Sequence, residues 1–303
     1  MSARPDDAPV RRIAIGIEYD GSAYSGWQTQ PHAASIQAAL EAALARVAAS
    51  PLALVCAGRT DAGVHAREQV AHFDTTVVRN ARGWLLGANT HLPADISLRW
   101  ALAVPDHFHA RYSALSRTYR YLILNRGARS ALAAGRALVV YRRLDVAAMR
   151  AAAQGLIGEH DFGAYRSVEC QSRSPVRVLR RLTVERTGDW VTIEATANAF
   201  LHHMARNLVG ALLAIGLHRA APEFARAQLD SRVRDSRTVT AAAAGLYLWQ
   251  VEYPPAFALP AAPTADTGDA APAGLAAQAG DAAMGPGDSA IMERPLPGWP
   301  QIS

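Results

Sequence analysis

The chain contains no lysine and only two cysteines among its 303 residues. Cys56 and Cys170 lie too far apart in sequence for a disulfide framework or for the paired spacing of a zinc site, so a reducing cytoplasm is the expected location. The N-terminus lacks the basic-then-apolar order of a signal peptide. The longest apolar run, Leu208–Leu217, has half of the ~20 residues needed to cross a bilayer. We therefore expect a soluble globular protein.

Several common functional motifs are also missing. The sequence has no glycine-rich phosphate loop, no dinucleotide fingerprint, no His-Glu-x-x-His and no Gly-x-Ser-x-Gly. We therefore expect neither a nucleotide cofactor nor a metal. The adjacent His202 and His203 do not change this expectation, because neighbours on a helix point about 100° apart and could not easily share one ion.

What the chain does have is enough apolar sequence for a core, with 50% hydrophobic residues, and a marked division of charge. From Pro254 onward it holds 9 of the 17 prolines and 6 of the 22 glycines, with a net charge of −4 that leaves +9 on residues 1–253. This predicts a low-complexity, disordered acidic tail over 254–303. The basic remainder favours a polyanionic partner, most simply a nucleic acid.

Hydrophobic periodicity predicts an α+β fold made of two similar halves. Ile13, Ile15 and Ile17 lie on one face of a strand over Arg12–Tyr19, and Ser35 can cap a helix. Further elements of the first half are predicted at Leu54–Ala57, Gln69–Phe73, Arg82–Leu92 and Ile96–Val104. The second half is predicted to hold strands, a hairpin and two helices at Arg117–Leu124, Ala137–Tyr141, Val146–Ile157, Leu182–Val184, Val191–Ala195 and Leu201–Leu217.

The short connections of both halves favour mainly antiparallel sheets lying side by side, with helices packed on them and a central cleft between them. We expect a disordered N-terminus over 1–11, an N-terminal catalytic subdomain over 12–112 and a C-terminal subdomain over 113–253.

The densest polar cluster lies in Cys56–Ala66, where Arg59, Asp61 and His65 stand in a glycine-bounded turn between two predicted strands. A rigid turn would hold the carboxylate beside the guanidinium and keep it ionised. Such a group suits a nucleophile or an electrostatic stabiliser of a cationic transition state. The spacing alone also allows a plain Asx turn with a surface ion pair.

The stretch Gly58-Arg-Thr-Asp-Ala-Gly-Val-His-Ala66 resembles the catalytic motif of the tRNA pseudouridine synthase A family, and the resemblance spans about residues 12–253. One departure is Ala241-Ala-Ala-Ala-Gly245-Leu246, where the family usually carries proline before Gly-Leu. The acidic tail matches nothing in the family. Five supporting segments occur in order: Tyr19-Asp-Gly-Ser22 with Gly26-Trp-Gln28, Phe108-His-Ala-Arg111, Arg117-Thr-Tyr-Arg-Tyr121, Gly158-Glu-His-Asp-Phe162 with Arg166, and Phe200-Leu201 leading to Met204-Ala-Arg206-Asn207.

The resemblance implies the pseudouridine synthase fold and conversion of uridine to pseudouridine at positions 38, 39 and 40 of the tRNA anticodon stem-loop, without a cofactor. It also implies a homodimer, since the family binds tRNA across two subunits. The catalytic aspartate maps to Asp61. It could attack C1′ of the ribose or help to withdraw a ribose proton, and the sequence does not choose between these roles.

The resemblance also assigns Tyr119 as the active-site tyrosine that stacks on the extruded uracil and assists proton removal at C5. A strand would place it on one face with Arg117 and Tyr121. Arg206 lies in an apolar helix and requires an anionic partner, either Asp61 or an RNA phosphate. The candidate catalytic residues are Asp61, Tyr119, Arg59 and Arg206. The candidate substrate-binding residues are Tyr24, Trp27, Gln28, His65, Arg111, Arg117, Tyr121, Arg166 and Leu246.

Two other functions compete with this interpretation. A noncatalytic RNA-binding module could use the same sheets to present aromatic residues, but it would not need Asp61 in a complete motif. A hydrolase with a carboxylate pair would need a second acid near Asp61, where the motif supplies arginine and histidine instead.

Overall fold

In the computed structural model, which describes residues 9–260, ten strands form one sheet in which β10 is central. The order is β4-β1-β3-β10-β5-β9-β8-β7, with β2 paired to β3 and β6 to β5. All pairings are antiparallel except β10 with β3 and β5 with β6. The strands are β1 (Arg11–Tyr19), β2 (Val55–Cys56), β3 (His65–Thr75), β4 (Ile96–Val104), β5 (Ser116–Leu124), β6 (Leu138–Val139), β7 (Gly158–Asp161), β8 (Val176–Thr187), β9 (Trp190–Ala197) and β10 (Leu246–Glu252).

Five α-helices accompany the sheet within residues 9–260, and side-chain caps begin three of them. Ser35 accepts a hydrogen bond from the Ala38 amide, and Asp145 and Asn80 cap their helices in the same way. None of the helices in this range is long and apolar enough to cross a membrane. They are α1 (Ile36–Ala48), α2 (Ala81–His91), α3 (Val146–Gln154), α4 (Met204–Gly216) and α5 (Phe224–Ser231).

The predicted α+β class with mainly antiparallel pairing is confirmed, and β10 joins the two predicted sheets into one. Tyr247 of β10 pairs with His65 of β3, and Leu246 pairs with Tyr121 of β5. The sequence analysis predicted no element after Leu217. A short strand near the end of the fold therefore makes the two halves continuous.

Two hydrophobic cores lie on this sheet. The first packs β1 against α1 and α2, and the second packs β5, β8 and β9 against α3, α4 and α5. Leu246 belongs to the second core and Leu248, two residues later, to the first. Because β10 serves both cores, the division of the chain at residue 112 stays a prediction.

Element boundaries differ from the predicted ones in several places. β3 begins at His65 rather than Gln69, which moves His65 from the turn into a strand. The helix predicted from Leu201 begins at Met204. The strand predicted over Ala137–Tyr141 keeps two residues. The strand β7 and the helix α5 were not predicted.

The fold extends past both predicted limits. Arg11 already begins β1, and a 3-10 turn at Pro255–Phe257 places the Phe257 ring 5.0 Å from that of Phe108. Residues 1–8 and 261–303 lie outside the described range, and with them most of the N-terminal segment and tail predicted to be disordered.

Candidate active site

The loop between β2 and β3, residues 57–64, carries Arg59 and Asp61 and is held by neighbouring elements. The Trp27 amide donates to the Thr60 carbonyl at 3.0 Å, and the hydroxyls of Tyr19 and Thr60 lie 2.8 Å apart. Gln69 donates its amide to the Gly58 carbonyl at 2.6 Å. These contacts fix the backbone before Asp61, and the Gly63 amide, which donates to the Tyr24 carbonyl at 3.2 Å, fixes the backbone after it.

Close approach of the Gly26 loop completes this support. Gly26 has φ +95°, and a Cβ there would lie 2.6 Å from the Thr60 carbonyl oxygen. A larger residue would therefore push the two loops apart as well as strain the backbone. Gly26 thus lets its loop pack against the loop that carries Asp61 and helps to hold Asp61 in place.

Asp61 lies at the centre of a cluster of three nitrogen-bearing side chains. Its Oδ2 atom accepts a hydrogen bond from Arg206 Nη1 at 3.1 Å and lies 3.2 Å from His203 Nε2. Its Oδ1 atom lies 3.5 Å from His202 Nε2. The side chain keeps 26% of its surface exposed, so the carboxylate is both paired and accessible.

Arg59, predicted to pair with Asp61 inside the turn, does not do so. It is exposed and makes no ion pair with any described residue. Asp61 takes its guanidinium partner from α4 instead. This is the half-buried Arg206, for which Asp61 was one of the two predicted partners. Short sequence spacing suggested the first pair, whereas the second joins residues 145 positions apart in the chain.

His202 and His203 are brought together by a feature that the sequence analysis misjudged. They precede α4 rather than lie on it, and His203 takes a left-handed conformation with φ 61°. Their ring centroids are consequently 4.0 Å apart, which corrects the prediction that they diverge. Burial lowers the pKa of His203, although the charge of Asp61 opposes this shift.

The segment that departs from the family pattern is anchored through its backbone. Arg206 Nε donates to the Ala241 carbonyl at 2.7 Å, Tyr121 donates its hydroxyl to the Ala242 carbonyl at 2.8 Å, and His65 Nε2 lies 3.0 Å from the Ala244 carbonyl. Carbonyl groups belong to every residue type. The alanines at these positions therefore do not prevent the loop from supporting Arg206.

Tyr119 has an unusual hydroxyl among the nine tyrosines. The hydroxyls of six others bond to protein atoms, and Tyr112 and Tyr141 are exposed. The hydroxyl of Tyr119 makes no hydrogen bond with any described residue, and its ring contacts Phe200 edge-on at 4.8 Å. Burial, and secondarily the charge of Asp61, raise the pKa of Tyr119. The phenol is therefore protonated and available to a ligand.

A cavity of about 930 Å³ opens over Asp61 and Tyr119. Both halves of the chain line it, and its basic side chains include Arg59, Arg111 and Arg206. Among residues 9–260, the carboxylates that line it are Asp61 and the exposed Glu169. Of the predicted substrate-binding residues, Trp27, Gln28, Arg117 and Leu246 also line the cavity.

Four predicted substrate-binding residues are buried and act as structural supports. Trp27 is 2% exposed and packs near Tyr19, so it offers no free ring face for a base. Tyr121 is 1% exposed, and its hydroxyl already donates a hydrogen bond to the Ala242 carbonyl. His65 is also 1% exposed and stacks on Tyr247 at 4.6 Å.

Arg117 is the fourth of these supports. Its guanidinium donates to the backbone carbonyls of Ala57, Arg111, Ala114 and Asn198 at 2.5–3.3 Å. Burial lowers the pKa of this arginine. With its donors used by the protein, Arg117 positions the start of the Asp61 loop rather than binding a phosphate.

Tyr24 and Arg166 do not line the cavity. Tyr24 donates its hydroxyl to Asp95 at 2.7 Å, and Arg166 is exposed after a 3-10 turn at Gly163–Tyr165. The sequence analysis in turn missed Phe200, His202, His203 and Glu169 as parts of the site. The Phe200-Leu201 segment was recognised, and its two following histidines were the available signal.

Comparison with known proteins identifies the class. A family model described as tRNA pseudouridine synthase matches residues 15–113 and 152–254. Proteins named tRNA pseudouridine synthase A from Salmonella paratyphi B, Salmonella newport and Salmonella heidelberg are each 49% identical over 256 residues, which cover 84% of this chain and 95% of each relative.

The fold, the carboxylate site and these matches define an enzyme, an isomerase of the pseudouridine synthase class. Both matched ranges include parts of the cavity, the first with Asp61 and Arg111 and the second with Arg206. The chain belongs to the tRNA pseudouridine synthase family. The resemblance to tRNA pseudouridine synthase A is thereby confirmed.

Proposed function

We propose that this protein isomerises uridine to pseudouridine at positions 38, 39 and 40 of the tRNA anticodon stem-loop, with Asp61 as the catalytic carboxylate and without a cofactor. The observation that carries this proposal is that Asp61, paired with Arg206, shares one open cavity with the unpartnered hydroxyl of Tyr119. The choice of these tRNA positions is supported by the sequence motifs.

The cavity suits a nucleotide that has left its base stack. Its volume of about 930 Å³ admits a nucleoside with room for rotation of the detached base. Arg59 and Arg111 line it and make no ion pair with any described residue. They are therefore available for RNA phosphates, and the excess of basic residues over 1–253 adds attraction over a longer range.

The reaction requires little beyond these groups. The C1′–N1 bond breaks, the uracil rotates, and C5 bonds to C1′. C5 loses its proton and N1 gains one, so the product is an isomer. Asp61 either attacks C1′ or assists removal of a ribose proton while positive charge develops at the sugar. Its accessible carboxylate and the fixed charge of Arg206 are compatible with both routes.

Tyr119 is proposed to hold the rotating uracil and to take part in proton transfer at C5. Its ring is fixed by Phe200, while its hydroxyl is left to the ligand. Because its pKa is raised, the resting hydroxyl is a hydrogen-bond donor rather than a phenolate. It can orient a uracil carbonyl and relay a proton without a change of charge.

The competing functions are less well supported. A noncatalytic RNA-binding module would not need an accessible carboxylate held by a half-buried guanidinium. A hydrolase with two acids could use Glu169 as the second carboxylate, but Glu169 is exposed and makes no ion pair with the groups around Asp61. Membership in an isomerase family favours the isomerase over both.

The decisive experiment uses tRNA transcripts tritiated at C5 of uridine, because isomerisation releases that tritium to water. We expect release from transcripts whose only labelled uridine stands at position 38, 39 or 40. The Asp61→Asn variant should release none while its tRNA affinity stays within roughly tenfold, since phosphate contacts supply most of the affinity.

The matched control is Asp189→Asn, which changes an exposed aspartate in the turn after β8. Wild-type turnover by the Asp61→Asn variant would remove Asp61 from the mechanism. Equal release from uridines outside the anticodon stem-loop would reject the proposed positions.

We also propose that the protein acts as a homodimer in the cytoplasm. The sequence resemblance supports the dimer. The tRNA substrate supports the cytoplasmic location. Sedimentation of the protein with and without tRNA tests the first. A single species with the mass of one chain at micromolar concentration, unchanged by tRNA, would contradict it.

A further inference from the structure

We propose that Asp61, His202 and His203 form a binding site for a divalent transition-metal ion of the zinc type, and that an ion bound there inhibits the enzyme. The inhibition rests on the proposed catalytic role of Asp61, whereas the binding does not. The ion is an inhibitor that competes with substrate and not a cofactor.

The donor atoms already stand near the spacing that zinc requires. With bonds of about 2.0–2.1 Å, the ligands of a tetrahedral zinc ion lie about 3.3 Å apart. Asp61 Oδ2 is 3.2 Å from His203 Nε2, and Asp61 Oδ1 is 3.5 Å from His202 Nε2. One donor atom from each residue lies within 4.8 Å of the other two. Small side-chain rotations would complete the site.

The chemistry of these donors selects the kind of metal. Two imidazole nitrogens and one carboxylate oxygen suit Zn²⁺, Co²⁺ and Ni²⁺, whereas Mg²⁺ and Ca²⁺ prefer oxygen ligands. All three side chains are partly exposed to the cavity, by 26%, 36% and 26% for Asp61, His202 and His203. An ion can therefore enter from solvent and take water as its fourth ligand, as in open zinc sites.

The backbone keeps the two histidines in place. The Ser167 amide donates to the His202 carbonyl at 2.9 Å, and the Asn207 amide donates to the His203 carbonyl at 2.9 Å. The left-handed conformation of His203 then directs both rings toward Asp61. A pre-arranged set of ligands loses little conformational entropy on binding an ion.

Arg206 limits the strength of this site. Its guanidinium bonds to Asp61 Oδ2 and is itself tied to the Ala241 carbonyl, so its positive charge stays near any bound ion. The ion must share the carboxylate with Arg206 and bear this repulsion. We therefore expect weaker binding than at a permanent structural zinc site.

A bound ion would prevent catalysis through Asp61. It would occupy an oxygen lone pair and neutralise the negative charge that the ribose requires, and it would stand where the flipped nucleotide enters. Raising the tRNA concentration or adding a chelator should restore activity.

Binding is tested first, without RNA. Calorimetric titration of the full chain with Zn²⁺ and absorption spectra with Co²⁺ should show one ion per chain bound at this site. His202→Gln and His203→Asn should each weaken it by at least ~10-fold, since each removes a ligand. Asparagine is chosen at His203 because it tolerates a left-handed backbone. The matched control is His218→Ala, an exposed histidine near Asp145.

The proposal would be overturned if the wild-type protein bound no Zn²⁺. It would also be overturned if His202→Gln, His203→Asn and the control His218→Ala all bound Zn²⁺ as tightly as the wild type. The circular-dichroism spectrum and melting temperature of each variant confirm that it is folded.

Inhibition is tested separately by tritium release from tRNA. Micromolar Zn²⁺ should inhibit the wild-type enzyme, with full recovery on chelation, and the activity that remains in the His202→Gln variant should resist Zn²⁺. Zinc binding without inhibition would overturn the inhibitory half. Absence of activity in metal-free enzyme would instead reject the proposed function, and the calorimetric result would stand independently.

Discussion

The Asp61 carboxylate accepts a hydrogen bond at 3.1 Å from Arg206, which lies 145 residues later in the chain. Asp61 stands in a loop between two strands of the first half, and Arg206 in the first turn of α4 in the second. Since the negative and positive members of the site come from different halves, the junction at β10 controls their alignment. Changes that shift one half relative to the other should therefore affect catalysis.

Arg206→Lys should lower kcat by about 10²–10³, the usual cost of removing one electrostatic stabiliser, with little change in KM. Lysine keeps the charge but cannot reach Asp61 and the Ala241 carbonyl with two rigidly linked donors. Steady-state kinetics with tRNA as substrate measure kcat and KM separately. The matched control is Arg226→Lys, an exposed arginine paired with Asp230. A rise in KM with unchanged kcat would show that Arg206 serves binding alone.

Tyr119→Phe separates the ring from the hydroxyl. Phenylalanine keeps the contact with Phe200, so tRNA affinity should stay nearly unchanged while turnover falls roughly 10²–10⁴-fold, the scale of general acid–base assistance. Tyr119→Leu should also weaken binding by about 1–3 kcal/mol through lost stacking. Turnover and filter-binding assays measure the two effects, with the exposed Tyr141→Phe as control. Full activity in both variants would make Tyr119 an ordinary core residue.

Arg117 and Arg111 should behave in opposite ways. Arg117→Leu leaves buried carbonyls without their donor, so the free energy of unfolding should fall by roughly 3 kcal/mol. Arg111→Ala should leave stability unchanged and reduce the salt dependence of tRNA binding by about one unit of slope. Urea unfolding and binding at several salt concentrations distinguish them. If the Arg117→Leu protein were as stable as the wild type and its tRNA binding depended less on salt, Arg117 would be a phosphate-binding residue after all.

Because of Glu68, we expect the protein to become less stable as the pH rises. Burial raises the pKa of this carboxyl to about 7, against the partial opposition of Arg99 and Arg67. The folded state then binds its proton more tightly than the unfolded state, so the stabilisation is complete below about pH 4.5 and is lost as the pH rises through 7. The loss is up to about 3 kcal/mol.

Glu68→Gln should remove this part of the pH dependence, which urea unfolding at pH 5 and pH 8 measures. The control is Glu185→Gln, which changes an exposed glutamate on β8. If wild-type protein and Glu68→Gln lost the same stability between these pH values, the proton would lie elsewhere.

Local sequence was enough for much of the fold and for the residue at its chemical centre. Alternation in β1 and the Ser35 cap of α1 depend on neighbouring residues, and both were predicted nearly to the residue. Asp61 was singled out because its motif is long and continuous. β10 was missed because a short strand buried in the middle of a sheet is stabilised by distant partners rather than by its own pattern.

Only the tertiary structure decided what each side chain near Asp61 does. The sequence named Arg59 as the partner because it is close along the chain, and the fold supplied Arg206. It assigned Arg117, Tyr121, Trp27 and His65 to RNA, yet burial commits their polar groups and ring faces to the protein. The sequence predicted that His202 and His203 point apart because it placed them on a helix. In the structure the left-handed backbone of His203 brings the two rings together. The residue types came from sequence, but hydrogen-bond partners and burial depend on segments that meet only after folding.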